Sequence, residues 1–203
     1  MPDAAAQVIR FYENHASDFD AERNRDLFEK AWLDRFLSFI PSGGHILDLG
    51  CGTGQPLAAY MIEQGYHITG VDAVREMIDL CQSRFPAHTW LTCDMRELDL
   101  ARKFDGLLAW DSFFHLPHDD QKKMFSIFQQ HTRKDAPLMF TAGPDHGEVT
   151  NPLWGDPLYH ASFSADEYAD LMQQHKFESV AAAIADKSCG NRTIYLARFT
   201  GET

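Results

Sequence analysis

Apolar residues recur at two different spacings along the chain, and the change of spacing divides it. Up to Ile40 the spacing is helical. Val8, Ile9, Phe11 and Tyr12 cluster first, and Leu27, Trp32, Leu33, Phe36, Leu37 and Ile40 follow at helical intervals. Pro41-Ser42-Gly43-Gly44 ends this region. Short apolar runs then alternate with amphipathic stretches. Runs at 45–50, 67–72, 89–94, 104–111 and 136–143 predict strands, and 54–64, 74–84 and 121–133 predict helices between them. That alternation is the βαβ pattern of a parallel sheet covered on both faces. The connection at 95–103 is short and less helical. Residues 164–175 predict a helix, with Ser164 and Glu167 spaced as a capping box. Runs at 178–186 and 192–199 read as a hairpin, so an antiparallel strand finishes the sheet.

Residues 144–163 follow neither period. Pro144, Pro152, Pro157, Gly147 and Gly155 interrupt the stretch, yet it carries Trp154, Tyr159 and Phe163. The expectation is a long loop, either an ordered lid or pocket wall or an insertion that packs on itself.

Composition narrows the class. The chain has 203 residues, 44% hydrophobic and 12% aromatic, which is the profile of one globular domain. Its 18 basic and 30 acidic residues give a net charge of −12, which argues against a nucleic-acid partner and a polybasic membrane contact. No apolar run approaches the about 20 residues of a spanning helix. The first ten residues lack signal-peptide order, so a cytoplasmic location is expected. Cys51, Cys81, Cys93 and Cys189 form no Cys-x-x-Cys pair and read as reduced thiols, with no structural zinc.

The chemistry gathers at the ends of the strands. Ile46-Leu47-Asp48-Leu49-Gly50-Cys51-Gly52-Thr53-Gly54 is a buried strand running into a glycine turn, with a helix directly after. Glycines there permit a tight turn and close approach of a ligand to the backbone. Asp48, Asp72, Asp94 and Asp111 bring a carboxylate to the ends of four consecutive strands. Such an edge repels a pyrophosphate and suits a ligand with positive charge and hydroxyl groups. S-adenosylmethionine, with its sulfonium, ammonium and ribose diol, meets that description.

In Asp48–Gly54, Val71-Asp72, Cys93-Asp94-Met95 and Phe104-Asp105-Gly106 the chain resembles the class I S-adenosylmethionine-dependent methyltransferases over roughly 36–199. The resemblance implies an α/β, Rossmann-like three-layer αβα sandwich. Its seven-stranded, mostly parallel sheet has the order 3-2-1-4-5-7-6, with strand seven antiparallel, beneath an N-terminal helical cap. The single domain 1–203 then divides into a cap (1–40), a cofactor-binding half (41–143), a substrate loop or lid (144–163) and a C-terminal helix and strand pair (164–203). The resemblance implies that Gly50, Cys51, Gly52 and Gly54 form the loop approaching the methionine part of the cofactor. Asp48 would orient that loop or meet the α-ammonium. Asp72 would hold the ribose with Ala73 beside the adenine, and Asp94 and the Met95 amide would meet the adenine edge. Trp110 would lie near the methionyl end, and Tyr12 would cover the cofactor.

Methyl transfer needs a base only where the nucleophile starts protonated. His115 and His118 after strand four, Asp145 and His146 after strand five, and Tyr159 and His160 later are the candidates. His115, His118, Asp119 and Asp120 suggest a metal site, but an acidic helix start is the simpler reading, and no metal is expected. Trp110-Asp111-Ser112-Phe113 replaces the Asn/Asp-Pro-Pro-Tyr motif of amide- and adenine-directed enzymes. The expected activity is methyl transfer to a heteroatom of a small-molecule acceptor in an apolar or aromatic pocket, for which Phe113, Phe114, Trp154 and Tyr159 are candidates. A nicotinamide-dependent oxidoreductase and a non-catalytic S-adenosylmethionine-binding protein are the alternatives. The sequence leaves the oligomeric state open.

Overall fold

The computed structural model describes residues 3–202. Strands β1 (His45–Leu49), β2 (His67–Asp72), β3 (Thr89–Thr92), β4 (Gly106–Ala109) and β5 (Pro137–Ala142) form one sheet. Two further strands, β6 (Gly147–Leu153) and β7 (Asp156–Ser162), pair only with each other. The last two, β8 (Phe177–Asp186) and β9 (Arg192–Phe199), rejoin the main sheet. Its order is β3-β2-β1-β4-β5-β9-β8. This is the expected order once the separate pair, which shifts the numbering of the last two strands, is set aside. β1 to β5 are parallel, and β9 is antiparallel to both β5 and β8.

Alternation along the central strands creates two cores. Leu47, Leu49, Leu107, Ala109, Leu138 and Phe140 point to one face, where α5 (His118–His131) and α6 (Ala165–Gln174) add Phe125, Phe128 and Tyr168. Ile46, Leu108, Met139 and Leu196 point to the other. There α2 (Lys30–Leu37), α3 (Leu57–Glu63) and α4 (Arg75–Arg84) add Phe36, Met61 and Ile78. Period-two alternation of apolar residues on both faces is what a sheet buried between helix layers requires. The Ser164–Glu167 capping box forms as its spacing predicts. α2 belongs to a helix layer of the sandwich, so only α1 (Ala4–Glu22) lies over the strand ends as a cap. Among the described residues, no helix is long and apolar enough to cross a membrane.

The segment expected as a loop is a hairpin. Trp154 and Gly155 connect β6 to β7 with φ of 49° and 90°, the paired positive values of a two-residue type I′ turn. Pro152 and Pro157 sit opposite each other, one pair in from the turn. That pair makes no ladder bonds in a two-residue hairpin, so two residues that normally break a strand cost it nothing.

Candidate active site

The turn after β1 depends on Gly50. Its φ is +73°, and a Cβ there would lie 2.3 Å from Cβ of Ser112, whose hydroxyl donates to the Leu49 carbonyl at 2.6 Å. The loop's amides are turned inward. Gly50 N and Cys51 N both donate to the Val71 carbonyl, and Gly52 N donates to Asp72 Oδ2 at 2.9 Å. The turn therefore presents no free row of donors to a phosphate, and carbonyl and carboxylate oxygens dominate its surroundings.

The four strand-end carboxylates fall into two kinds. Arg96 chelates Asp94, with Nη2 at 2.7 Å, and Arg192 grips Asp111 through Nε and Nη2, with Arg23 beside it. These two acids are neutralised within the chain, which corrects the picture of four free charges at one edge. Asp48 and Asp72 form no ion pair among the described residues. Asp72 accepts from the backbone of Gly52 and Val74, and burial raises its pKa. Asp48 lies inside β1, on the same face as Ile46 and Trp110. Burial, with the nearby Asp72 charge, pushes its pKa up to about 7. Two under-compensated carboxylates thus flank the glycine turn.

α1 closes this region from above. Its Phe19 ring reaches Gly52, and Asp20 binds Arg84 through both oxygens at 2.7 and 2.6 Å. Arg84 also donates to the Thr53 carbonyl, so one guanidinium ties the cap to the turn and to α4. Beneath the cap lies a cleft bordered by Tyr12, Gly50, Gly52, Asp72, Ala73, Asp94, Met95 and His115. Beside it opens a cavity of about 750 Å³ bounded by the hairpin. Tyr12, Phe19, Asp111 and His115 border both spaces and form the neck between them.

His115 sits at that neck with a fixed tautomer. Its Nδ1 is 2.9 Å from the Tyr159 carbonyl, which can only accept, so Nδ1 carries the proton. Nε2 therefore holds the lone pair and accepts from the Tyr12 hydroxyl at 3.1 Å. Burial lowers the imidazole pKa to about 4, so it is neutral at pH 7. Burial raises the Tyr12 pKa, which keeps that hydroxyl a donor.

The other candidates scatter. His160 borders the large cavity, stacked on Phe114 at 5.3 Å. Tyr159 supplies its backbone carbonyl to His115, while its ring packs with Val8, Phe11 and Leu158 and borders neither space. His146 also borders neither, because its Nδ1 pairs with Glu167 at 2.8 Å. His118 binds the Ser162 carbonyl and Glu148. Asp145 borders the large cavity. Asp48, Cys51, Gly54 and Trp110 surround a smaller space of about 50 Å³ behind the turn, not the cleft. Phe114 and Trp154 border the large cavity, whereas Phe113 is core. The sequence reading did not single out Arg23 and Arg192 as site residues. They meet Asp111 from positions 88 and 81 residues away, and no local pattern signals such a pairing.

A parallel sheet in this order, with a glycine turn after β1 and an acid closing β2, defines a Rossmann-like protein that binds a nucleoside-type ligand beyond its strand ends. Residues 46–135 match the methyltransferase domain family. That match, with the sheet order and the acids at the strand ends, supports a class I S-adenosylmethionine-dependent methyltransferase domain, whose cofactor is S-adenosylmethionine. It is 33% identical over 156 residues to O-methyltransferase rstn1 of Aspergillus nomiae, covering 68% of the chain and 66% of that protein. It is 32% identical over 98 residues to the putative methyltransferase YqeM of Bacillus subtilis, covering 47% of the chain and 38% of that protein. The chain thus spans less than two thirds of the length of both curated relatives. Its fold is shared with the 1,6-didemethyltoxoflavin-N1-methyltransferase of Burkholderia thailandensis, solved with 1,6-didemethyltoxoflavin and S-adenosylhomocysteine bound. The TM-score is 0.77 at 22% identity, covering 97% of this chain and 89% of that one.

Proposed function

We propose that this protein transfers a methyl group from S-adenosylmethionine to an oxygen, nitrogen or sulfur of a small molecule held in the large cavity. The observation that carries this reading is the pair Asp48, buried behind the glycine turn, and Asp72, half-buried at the cleft, neither with a cation of its own among the described residues. A ligand bearing an ammonium and a ribose diol supplies the missing positive charge and the hydroxyl donors. Asp72 with Ala73 and Met95 fits the nucleoside end, and the carbonyl-rich turn fits the amino-acid end. The same arrangement disfavours a nicotinamide dinucleotide, whose pyrophosphate needs the amide donors that Val71 and Asp72 already occupy.

When bound, the cofactor supplies a methyl group carried on a sulfonium. The chain's own part is alignment, exclusion of water and movement of one proton. His115 is the base. An acceptor O–H or N–H replaces the Tyr12 hydroxyl at Nε2 and gives up its proton there, while the Nδ1–H bond to Tyr159 holds the ring. α1 and the hairpin form the cover over the two spaces. Release of S-adenosylhomocysteine across a panel of hydroxyl, amine and thiol acceptors tests the reading. His115→Asn keeps a donor for the Tyr159 carbonyl but removes Nε2, so turnover falls by roughly 10²–10⁴-fold. Undiminished turnover removes His115 from the base role, and no turnover with any acceptor favours a protein that binds the cofactor without using it.

A further inference from the structure

The large cavity carries more information than its volume. Two aromatic groups border it. Phe114 and His160 stack at 5.3 Å with planes 30° apart, and the His115 ring lies 4.7 Å from His160. Tyr12 and Phe19 meet edge to face at 5.8 Å, and Trp154 stands on Phe11. Flat rings bordering a cavity of about 750 Å³ favour a flat guest, because stacked and edge-on contacts add to burial only when the guest has a face and an edge of its own.

The charges around the same cavity are lopsided. Glu22, Asp111, Asp145 and Glu148 border it, against Arg23 and Arg192. Neither arginine is available to a guest. Arg192 forks onto Asp111 at 2.8 and 2.6 Å, and Arg23 divides its guanidinium between Asp111 and the fully buried Glu29. Burial lowers the pKa of both His115 and His160, so neither adds a positive charge at neutral pH. An anionic guest would enter without a counter-charge. A cation would meet Asp145, and also Glu22, which accepts one bond from Trp154, and Glu148, which is paired with His118.

We infer that the methyl acceptor is a planar aromatic or heteroaromatic molecule, neutral or cationic, and not one that bears a carboxylate or phosphate. This rests on the large cavity being the acceptor site, as proposed above.

Binding of four molecules of similar size tests it: tyramine, 4-hydroxybenzyl alcohol, 4-hydroxyphenylacetate and 4-(2-aminoethyl)cyclohexanol. Dissociation constants are measured by ligand-observed NMR, with and without S-adenosylhomocysteine. Tyramine and the neutral alcohol are expected to bind at least about tenfold more tightly than the anion, and tyramine more tightly than its saturated counterpart. Phe114→Leu keeps an apolar side chain and removes the ring, and it should weaken tyramine by roughly two- to tenfold, narrowing that last gap. Equal or tighter binding of the anion, equal binding of the saturated ring, or no binding by any of the four overturns the inference. Calorimetry with S-adenosylhomocysteine is read separately. Failure there removes the cofactor reading, while the ranking of the four molecules still reports on the cavity.

Discussion

At the scale of single residues, the site is decided by what each polar group already touches. His115 illustrates this. Its neighbours are a carbonyl that can only accept and a hydroxyl that burial keeps protonated, so its tautomer follows from geometry. Gly50 is decided by space as well as by φ. An alanine there would combine a left-handed backbone with a carbon 2.3 Å from Ser112 Cβ. Gly50→Ala is expected to cost about 2–4 kcal/mol, from backbone strain plus overpacking. Urea denaturation measures it, and a loss within about 0.5 kcal/mol would show that the turn tolerates a side chain. Asp48 shows the opposite balance, because a buried acid without a partner costs the empty protein stability. With its folded pKa raised to about 7, that cost grows as pH rises from the ordinary carboxylate range through 7.

At the scale of elements, the cap and the hairpin act as one cover over the two spaces. Three side chains hold the base of β7 through consecutive parts of its backbone. His115 binds the Tyr159 carbonyl, Gln121 the Ala161 carbonyl and His118 the Ser162 carbonyl. The tip is held differently. His15, where α1 departs from helical geometry, lies 3.1 Å from Asp18 and 2.9 Å from Asp156, and Trp154 donates to Glu22 at 2.9 Å. Both ring nitrogens of His15 face carboxylates, so the contact needs the imidazolium, and these bonds raise its pKa. The sign follows. The contact is complete below the ordinary histidine value and is lost as pH rises through the raised one. NMR titration of the ring should give a midpoint above 6.5 that falls toward it in Asp156→Asn. A midpoint at or below 6.5 in the unmodified protein would contradict the latch.

The elements themselves were readable to different degrees. The βαβ strands are legible because short runs that are mostly apolar on both faces recur at regular spacing between amphipathic helices. β6 and β7 did not, since Pro152 and Pro157 read as breakers until their pairing is known. Two prolines opposite each other at a pair without ladder bonds leave no local trace, because the compensation is across the hairpin.

At the scale of the whole molecule, the excess of acid over base, 30 against 18, acquires a partial meaning. Asp72, Ala73, Asp94, Met95 and Asp111 border the cleft, while Asp48 borders a smaller space behind the turn. The sequence pattern places all four acids at the strand ends. It did not show which of the acids are spoken for. Arg96 is two residues from Asp94 and was within reach of a local reading, but Arg192 comes from the last strand and meets Asp111 only through the sheet. Long-range pairing also decides which histidine faces the neck and which, like His146, is held elsewhere by Glu167.

The central claim is that Asp72, at the cleft beside the glycine turn and without a cation of its own among the described residues, holds a cationic nucleoside cofactor. Calorimetric titration of S-adenosylmethionine into the unmodified protein and into Asp72→Ala tests it most directly. The account predicts one site per chain and a loss of roughly tenfold or more in affinity in Asp72→Ala, equivalent to at least about 1.4 kcal/mol. Absence of binding to the unmodified protein, or unchanged affinity in Asp72→Ala, would contradict it.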